Sequence, residues 1–248
     1  MNAPPHALLL SVVIPAYNEE KLITGTIEGL RASLVDAGLA ADGFEIIVCD
    51  NASSDATARL AAAAGARVVF EPERQIARAR NSGAARARAP WLLFLDADSW
   101  PDAPLMGDLL AAMADPRVVA GGCTMRMQAV PRAMRVGVRL WNLISRLCRW
   151  AAGAFIFCRS DAFRAIGGFG QDFYVAEEID FSRRIKRWAS RHGQGLRILH
   201  HHPLLTSGRK SVLYSQREIA SLLLSMLRHP RSFFRDRRLL PLWYDGRR

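Results

Sequence analysis

Two aspartates separated by one residue, Asp96 and Asp98, follow directly after the apolar run Trp91–Leu95. A buried strand has no need of two charges at its end, so folding alone does not explain the pair. Carboxylates at positions i and i+2 of a strand end can turn outward and share one divalent cation, Mg²⁺ or Mn²⁺, whose other ligands are usually phosphates and water. The alternative is that both residues cap the following turn, where aspartate is common.

The length of 248 residues, the 50% hydrophobic content and a mean hydropathy near zero indicate one sizeable α/β domain with a real core. The amino terminus has no basic segment ahead of a short apolar run, so we expect no signal peptide and a cytoplasmic protein. The four cysteines have no metal or redox spacing and are interpreted as small core residues in a reducing compartment.

The net charge of +11 is unevenly distributed along the chain. Residues 1–70 carry four basic and eight acidic side chains, whereas residues 116–160 carry eight arginines and no carboxylate. Such a surface should attract phosphates, nucleic acid or anionic lipid. Because 31 of the 34 basic residues are arginines, part of this signal reflects genomic base composition.

The first hundred residues alternate between short apolar runs, typical of strands buried on both faces, and helical patterns. The predicted strands are Leu8–Ile14, Phe44–Cys49, Val68–Phe70 and Trp91–Leu95. The predicted helices are Glu19 to about Ala37, Ser53–Ala64 with Ser53 and Ser54 as N-caps, and Arg74–Ala87. This alternation predicts βαβ units and a Rossmann-like, mostly parallel central sheet with flanking helices.

The second half of the chain is less regular. The predicted helices are Asp102–Ala114, a basic amphipathic helix at Arg132–Ala151, Asp180–Arg191 and Ser211–Arg228; the predicted strands are Val118–Met127 and Leu196–His200. We therefore expect one domain over residues 1–210, followed by a carboxyl-terminal helical extension and a docked aromatic tail over residues 211–248.

Polar clusters follow three of the early strands: Pro15–Glu19, Asp50–Asp55 and Asp96–Asp98. In an open parallel sheet, ligands bind outside the carboxyl ends of the strands, so the three clusters predict one site. The first turn lacks a Gly-x-Gly-x-x-Gly pattern, which removes the main support for a dinucleotide-binding domain.

Six segments between residues 8 and 190 carry a resemblance to a known family. They are Ser11–Glu20, Val48–Asp55, Ala77–Gly83, Phe94–Asp98, Gly167–Phe169 and Glu177–Arg184. Each is modest alone, but together and in this order the chain resembles a family-2 glycosyltransferase of the GT-A fold. The resemblance implies transfer of a sugar from a nucleotide-diphosphate sugar, with UDP favoured, to an acceptor glycan, lipid or small molecule, with inversion. It also implies a nucleotide-sugar half at about residues 1–100 and an acceptor half at about 101–210.

The resemblance assigns donor binding to the ends of the early strands and to the third helix. The residues are Pro15, Ala16, Tyr17, Asn18, Glu19, Asp50, Asn51, Arg78, Arg80, Asn81 and Asp96. Asp50 would face the base, and Arg78, Arg80 and Asn81 would lie near the diphosphate or brace the loop around it. For the arginines, the alternative is an ordinary solvated helix face.

The resemblance also implies a metal site for Mn²⁺ or Mg²⁺. Asp98 would be the main ligand, and Asp96 would face the ribose and the metal. His202 or His201, at the end of a predicted strand, could be a third ligand; strand alternation would turn His200 and His202 to one side. Polar residues stacked at a strand end are the alternative.

Glu177 and Glu178 stand where the family usually shows Glu-Asp, with the second residue as the catalytic base. We therefore predict that Glu178 is the base, while the longer side chain leaves Glu177 as the alternative. A structural interpretation is also open, with two carboxylates at a helix amino terminus ahead of Arg183 and Arg184.

Other interpretations have less support in the sequence. A nucleotidyltransferase would normally begin with a Gly-rich phosphate loop, which is absent here, and no nucleic acid partner is expected because aromatic residues do not interleave with the arginines. The helix at Arg132–Arg149, with Trp141 and Trp150, could lie on an anionic membrane surface, giving a peripheral protein at the inner membrane face. Its alternative is a helix packed on the sheet with arginines at its rim. Ser207–Lys210 could form a lid over the diphosphate.

Overall fold

The computed structural model describes residues 7–128, 130–151 and 153–208. The strands are β1 Leu10–Ala16, β2 Phe44–Asp50, β3 Arg67–Phe70, β4 Trp91–Leu95, β5 Ser99–Trp100, β6 Val118–Met127, β7 Phe155–Arg159 and β8 Gly195–Thr206. The helices are α1 Ile23–Asp36, α2 Thr57–Ala63, α3 Ile76–Ala84, α4 Ala103–Ala114, α5 Arg132–Cys148, α6 Ser160–Ala165 and α7 Glu177–Arg191.

One eight-stranded sheet runs through the described part of the chain in the order β3-β2-β1-β4-β7-β6-β8-β5. The pairings of β1 with β2 and β4, of β2 with β3 and of β6 with β8 are parallel. Only β7 and β5 run in the opposite direction to their neighbours. The expected mostly parallel sheet of an α/β domain is therefore confirmed. Its carboxyl edge collects the ends of β1, β2 and β4 and also the amino end of β7.

Apolar side chains cover both faces of the central strands, which explains why these runs contain no polar alternation. Residues Leu92 to Leu95 of β4 are at most 2% exposed, and α1 and α4 pack on one face while α3, α6 and α7 pack on the other. Helix α3 approaches β1 closely, because a Cβ atom on Gly83 would lie 2.4 Å from Cγ1 of Val13. Glycine at this position lets α3 lie close to the sheet, near the strand ends.

Helices α1 and α2 begin four residues later than expected. Helix α1 starts at Ile23 rather than Glu19, and in the turn that precedes it the Glu19 carbonyl accepts hydrogen bonds from the N–H groups of Leu22 and Ile23. Helix α2 starts at Thr57, and Ser53 and Ser54 are not its caps. Strand β1 is displaced toward the carboxyl terminus relative to Leu8–Ile14 and includes Pro15 and Ala16.

The second half departs further from the sequence prediction. Strand β7 and helix α6 were not predicted, since β7 is a short run whose identity depends on pairing with the distant β4 and β6. Helices α3 and α5 end earlier than predicted, at Ala84 and Cys148, and α7 begins earlier, at Glu177. Strand β8 continues beyond His200 to Thr206. The helix predicted at Asp102–Ala114 and the strand predicted at Val118–Met127 are confirmed. Asp102 is the N-cap of α4, and its Oδ1 accepts a hydrogen bond from the N–H of Leu105 at 3.0 Å.

Several predicted features lie outside the described residues. These are the helix at Ser211–Arg228, the aromatic tail, the whole unit 211–248, and Arg209 and Lys210 of the proposed lid. Within the described part, Cys49, Cys123 and Cys158 are buried, as predicted for core residues, whereas Cys148, at the end of α5, is only partly buried. No helix there is both long enough and apolar enough to cross a bilayer.

Candidate active site

The turn after β1 and the loop after β2 are joined by hydrogen bonds between polar side chains and backbone. The N–H of Asn18 donates to Oγ of Ser53 at 3.0 Å, and Oδ1 of Asn18 accepts from the N–H of Ser54 at 2.9 Å. The N–H of Glu19 donates to Oγ1 of Thr57 at 2.8 Å. Asn18 has φ +52°, a left-handed conformation that asparagine tolerates well. Two of the predicted polar strand ends therefore form one structural unit.

Asp50 and Asn51, at the end of β2, are both buried. The carboxylate of Asp50 accepts from the N–H of Ser53 at 3.3 Å. The amide of Asn51 donates to the carbonyls of Glu71 and Glu73, at 3.1 and 2.6 Å. Asn51 therefore holds the loop between β3 and α3 against the site, and its amide hydrogens are used in doing so.

The same loop carries Arg74, which no sequence motif marks as a site residue. The guanidinium of Arg74 lies over the ring of Tyr17, with Cζ 3.7 Å from the ring centre. A cation at this distance from an aromatic face is attracted by the ring quadrupole. No motif indicates the pair in the sequence, because Arg74 stands alone ahead of α3 and its position depends on the bonds made by Asn51.

The side chains of α3 mostly brace neighbouring loops. Asn81 makes a two-way contact with the backbone of Phe169, donating to its carbonyl and accepting from its N–H, both at 2.9 Å. Gln75 donates to the carbonyls of Gln171 and Phe173. Arg78 pairs with Glu73 at 3.0 Å. For Asn81, the bracing role that the sequence left open is the one that these contacts support.

Arg80 is the centre of the site. It is 1% exposed, and its Nη1 donates to Oε1 of Glu177 at 2.6 Å. Its Nη2 donates to Oδ1 of Asp96 at 3.2 Å and to the carbonyl of Gly153 at 2.8 Å. Burial acts to lower the pKa of Arg80, but three carboxylates outweigh it and the pKa is raised. One buried cation thus joins the aspartate pair after β4 to the glutamate pair at the start of α7, and it is too buried to be an open surface group for the diphosphate.

The two glutamates have different environments. Glu177 is 3% exposed, and burial, followed by the charge of Glu178, raises its pKa to about 8 although Arg80 acts in the opposite direction. Glu178 is partly exposed and lies beside Gly153, where an added Cβ would be 3.5 Å from its Oε1. Near neutral pH the carboxyl of Glu177 therefore carries less negative charge than an exposed glutamate would.

The aspartate run after β4 is fixed through its backbone. The N–H of Asp96 donates to the carbonyl of Ala154 at 3.3 Å, and the carbonyl of Ala97 accepts from Oγ1 of Thr26 at 2.7 Å. The carbonyl of Asp98 accepts from the N–H of Ser207 at 3.0 Å. The side chains of Asp96 and Asp98 are partly exposed.

The chemistry of these two carboxylates fits a hard divalent cation that takes further ligands from phosphates and water. In the part of the chain that the structure describes, no group of three or more His, Cys, Asp or Glu side chains is arranged to hold a metal. The protein itself therefore offers two carboxylates from the aspartate run, which suits a metal site completed by a bound diphosphate.

The histidines of β8 are arranged differently from the sequence expectation. Between the pairs Cys123–Leu199 and Met125–Leu204, β8 has four residues opposite one residue of β6, so regular alternation does not apply. The rings of His200 and His201 lie 4.3 Å apart. Nδ1 of His202 contacts Oδ2 of Asp108 on α4 at 3.0 Å. His202 therefore has an acidic partner on α4, and it does not form a three-residue group with Asp96 and Asp98 among the described residues.

Comparison with known proteins gives a match to the model "Glycosyl transferase family 2" over residues 11–175. This range contains all three polar strand ends, the whole of α3 and the Gly167–Phe169 turn, and it ends just before Glu177.

One relative is validoxylamine A glucosyltransferase of Streptomyces hygroscopicus subsp. limoneus, 36% identical over 130 residues that cover 49% of this chain and 28% of the relative. Another is the pre-mycofactocin glycosyltransferase of Mycobacterium tuberculosis, 28% identical over 71% of this chain and 38% of the relative. The chain thus spans well under half the length of either relative.

The fold matches solved structures at low sequence identity. A mannosyltransferase from Pyrobaculum calidifontis, in complex with GDP-Man and Mn²⁺, has a TM-score of 0.64 at 19% identity, covering 89% of this chain and 62% of that one. Residues 1–349 of TarS from S. aureus, in complex with UDP-GlcNAc, give a TM-score of 0.63 at 19% identity, covering 92% and 67%.

Proposed function

Because the chain belongs to glycosyl transferase family 2, we propose that it transfers a sugar from a nucleoside diphosphate sugar to an acceptor hydroxyl, with inversion at the anomeric carbon. The observation that carries the proposal is the junction at Arg80, whose guanidinium contacts Asp96 on one side and Glu177 on the other. In support of the proposal, the aspartate run that would hold the donor diphosphate and the glutamate pair that would activate the acceptor contact the same buried cation.

On the donor side, we propose that Asp98 and Asp96 hold Mn²⁺ or Mg²⁺. Such a cation would neutralise the charge that develops on the leaving diphosphate. The turn Pro15–Glu19 and Asp50 would hold the nucleoside, and Arg74 on Tyr17 would add a cation at the same edge. UDP is the proposed nucleotide of the donor because it is common in the family. The mannosyltransferase neighbour contains GDP-Man, and the TarS neighbour contains UDP-GlcNAc.

On the acceptor side, we propose that a carboxylate of α7 removes the proton of the attacking hydroxyl. The acceptor oxygen forms a bond to the anomeric carbon as the bond from that carbon to the diphosphate breaks, and the electron pair leaves with the nucleoside diphosphate. The proton passes to the carboxylate. Glu178 is favoured over Glu177, since Glu178 is partly exposed while Glu177 is buried and bonded to Arg80.

The acceptor belongs to the proposal only in its broadest form, as a glycan, lipid or small molecule that carries a hydroxyl. We also propose a cytoplasmic location, which is based on the unpaired cysteines and on the arginine-rich stretch rather than on the site. His202 remains a candidate third metal ligand only if its contact with Asp108 opens when the donor binds.

A thermal-shift series with UDP, GDP, ADP and CDP, each with and without Mn²⁺, tests the donor side, since a ligand that binds the native state raises Tm by mass action. We expect one diphosphate to raise Tm in a Mn²⁺-dependent way, and the variant Asp98→Asn to lose this dependence. Asp36→Asn, an exposed aspartate at the end of α1, is the matched control.

Product analysis separates the proposal from a nucleotidyltransferase. Incubation with the preferred nucleotide sugar should release nucleoside diphosphate and, with a hydroxyl acceptor, a glycoside of inverted configuration. Release of pyrophosphate from a nucleoside triphosphate and a sugar phosphate would contradict the proposed reaction.

A further inference from the structure

Within the described part of the chain, helix α5 packs on β6 through one side. Asn142 makes a two-way contact with the backbone of Met125 on β6, accepting from its N–H at 3.1 Å and donating to its carbonyl at 2.8 Å. Ser145, one turn further on, is 1% exposed and donates to the carbonyl of Trp150. These contacts fix the side of α5 that faces the sheet.

The opposite side of α5 carries an apolar stripe. Its members are Val136, Leu140, Leu143 and Leu147, which are 63%, 57%, 51% and 75% exposed. At about 100° per residue, their spacing places all four within a sector of about 60°. Because the helix already packs on β6 through another face, this stripe is not part of the core. In the described part of the chain, the other large exposed hydrophobic residues are Val35 and Phe70, which lie on separate elements.

Arginines border the stripe along one side. Arg132, Arg135, Arg139 and Arg146 are all exposed, and the helical spacing places them in the adjacent sector of about 60°. No aspartate or glutamate occurs between residues 116 and 160. The outer surface of α5 therefore combines an apolar stripe with an uninterrupted cationic edge.

A basic pocket of about 460 Å³ lies at the carboxyl end of α5. Arg146, Arg149 and His200 line it, together with Arg117 and Arg197. The last two are paired with Asp115, at 3.0 and 2.6 Å. The pocket is large enough for a phosphate group, and it continues the cationic edge beyond the last turn of the helix.

We propose that the outer face of α5, defined by this stripe and its arginine edge, docks on the surface of an anionic phospholipid bilayer. The helix would lie in the plane of the interface, with the leucines among the upper acyl chains and the arginines at the lipid phosphates. Each basic residue near an anionic surface adds to the attraction, which salt screens. The proposal involves none of the residues assigned to sugar transfer.

The same features disfavour a second copy of the chain as the occupant. A two-fold pairing of this face on itself would use the same patch twice and bring two arginine rows together with no carboxylate of the stretch to pair with them. A bilayer that contains phosphatidylglycerol instead supplies the missing negative charges along with an apolar phase.

Sedimentation with vesicles tests the proposal. The full chain should bind vesicles of phosphatidylcholine and phosphatidylglycerol at low salt, bind less at high salt, and bind vesicles of phosphatidylcholine alone weakly. The double variant Leu140→Gln/Leu147→Gln should lower the partition coefficient at least about 10-fold, since it removes two apolar side chains from the buried face. Arg135→Ala/Arg139→Ala should reduce the preference for anionic lipid.

Matched controls are Phe70→Gln and Val35→Gln for the apolar changes and Arg59→Ala for the charge. These variants should bind vesicles as the wild type does. Donor-induced thermal shifts, measured in parallel, report the folded state and the donor site separately from docking.

Equal binding to both lipids, no binding to either, or binding that the Leu140/Leu147 change leaves intact would overturn the proposal. So would a dimer in light scattering that the same double variant dissociates. An unchanged donor-induced shift in those cases would leave the proposed transferase function standing.

Discussion

The carboxyl edge of the sheet and the outer face of α5 differ in how their side chains are satisfied. At the sheet edge, polar side chains are bonded to partners far away in the sequence, as Arg80 is to Glu177 and Asn51 to Glu73. On the outer face of α5, four large apolar side chains are exposed instead. Burying an unpaired charge is unfavourable, and at the sheet edge the buried charges are paired within the protein. Exposing leucine side chains is also unfavourable, yet the outer face of α5 exposes them. The paired charges at the sheet edge suit the small-ligand site proposed above, whereas the exposed apolar face of α5 suits the docking surface proposed above.

The largest expected effect is on catalysis at the carboxyl edge of the sheet. Glu178→Gln should lower kcat about 10²–10⁴-fold while leaving donor binding intact, because the amide cannot accept the proton. Steady-state kinetics and donor titration measure the two quantities. A larger loss of kcat for Glu177→Gln than for Glu178→Gln would reverse the assignment of the base.

The next effect concerns stability. Arg80→Met should lower the free energy of unfolding by about 3–5 kcal/mol, because it leaves the buried carboxyl of Glu177 and the carbonyl of Gly153 without the donors that now reach them. Chemical denaturation measures the loss. Arg80→Lys keeps the charge but not the fork of donors that reaches both Asp96 and Glu177, and so should recover part of the stability. Full stability of Arg80→Met would mean that the junction is not a coupled unit.

A pH titration of stability tests the environment of Glu177. Burial raises its pKa from 4.5 to about 8, so between these values the folded state binds more protons than the unfolded state. The contribution to the free energy of unfolding is therefore fully present below about pH 4.5 and falls as pH rises toward 8. Each pKa unit corresponds to about 1.4 kcal/mol, so the decline in Tm should amount to a few degrees or more. Glu177→Gln should make the decline of Tm with pH shallower. An equally steep decline in this variant would mean that other groups cause it.

The smallest effect on stability should come from a change on the outer face of α5. Leu143→Gln should change the free energy of unfolding by no more than about 0.5 kcal/mol, since this side chain packs little against the rest of the protein. Leu109→Ala, in the core, is the contrasting change and should cost about 2–5 kcal/mol. A loss of several kcal/mol in Leu143→Gln would show that the stripe is covered within the protein.

Periodicity and turn chemistry predicted more of the first half than of the second. In the first half, strands β2, β3 and β4 lie within a residue or two of their predicted bounds, because each is a strongly patterned run with clear ends. In the second half this holds for helix α4 and strand β6. The predicted starts of α1 and α2 were both wrong. For α2 the reason is that Ser53 and Ser54 bond to Asn18 across the site rather than to their own helix. Strand β7 was missed because its five residues acquire strand character only between β4 and β6.

The sequence alone determined the α/β class, the family and the identities of the carboxylates at the strand ends, since these depend on local pattern and on motif order. Tertiary structure alone decided what each side chain contacts. Only in the folded chain does Arg80 become a buried junction, Asn81 a brace for Phe169 and Arg74 a partner of Tyr17. Likewise, the sequence shows that α5 is amphipathic, but not that β6 receives one face and leaves the leucine stripe exposed. The physical reason is that hydrogen-bond partners and burial are set by contacts over tens of residues, which no local pattern of side chains encodes.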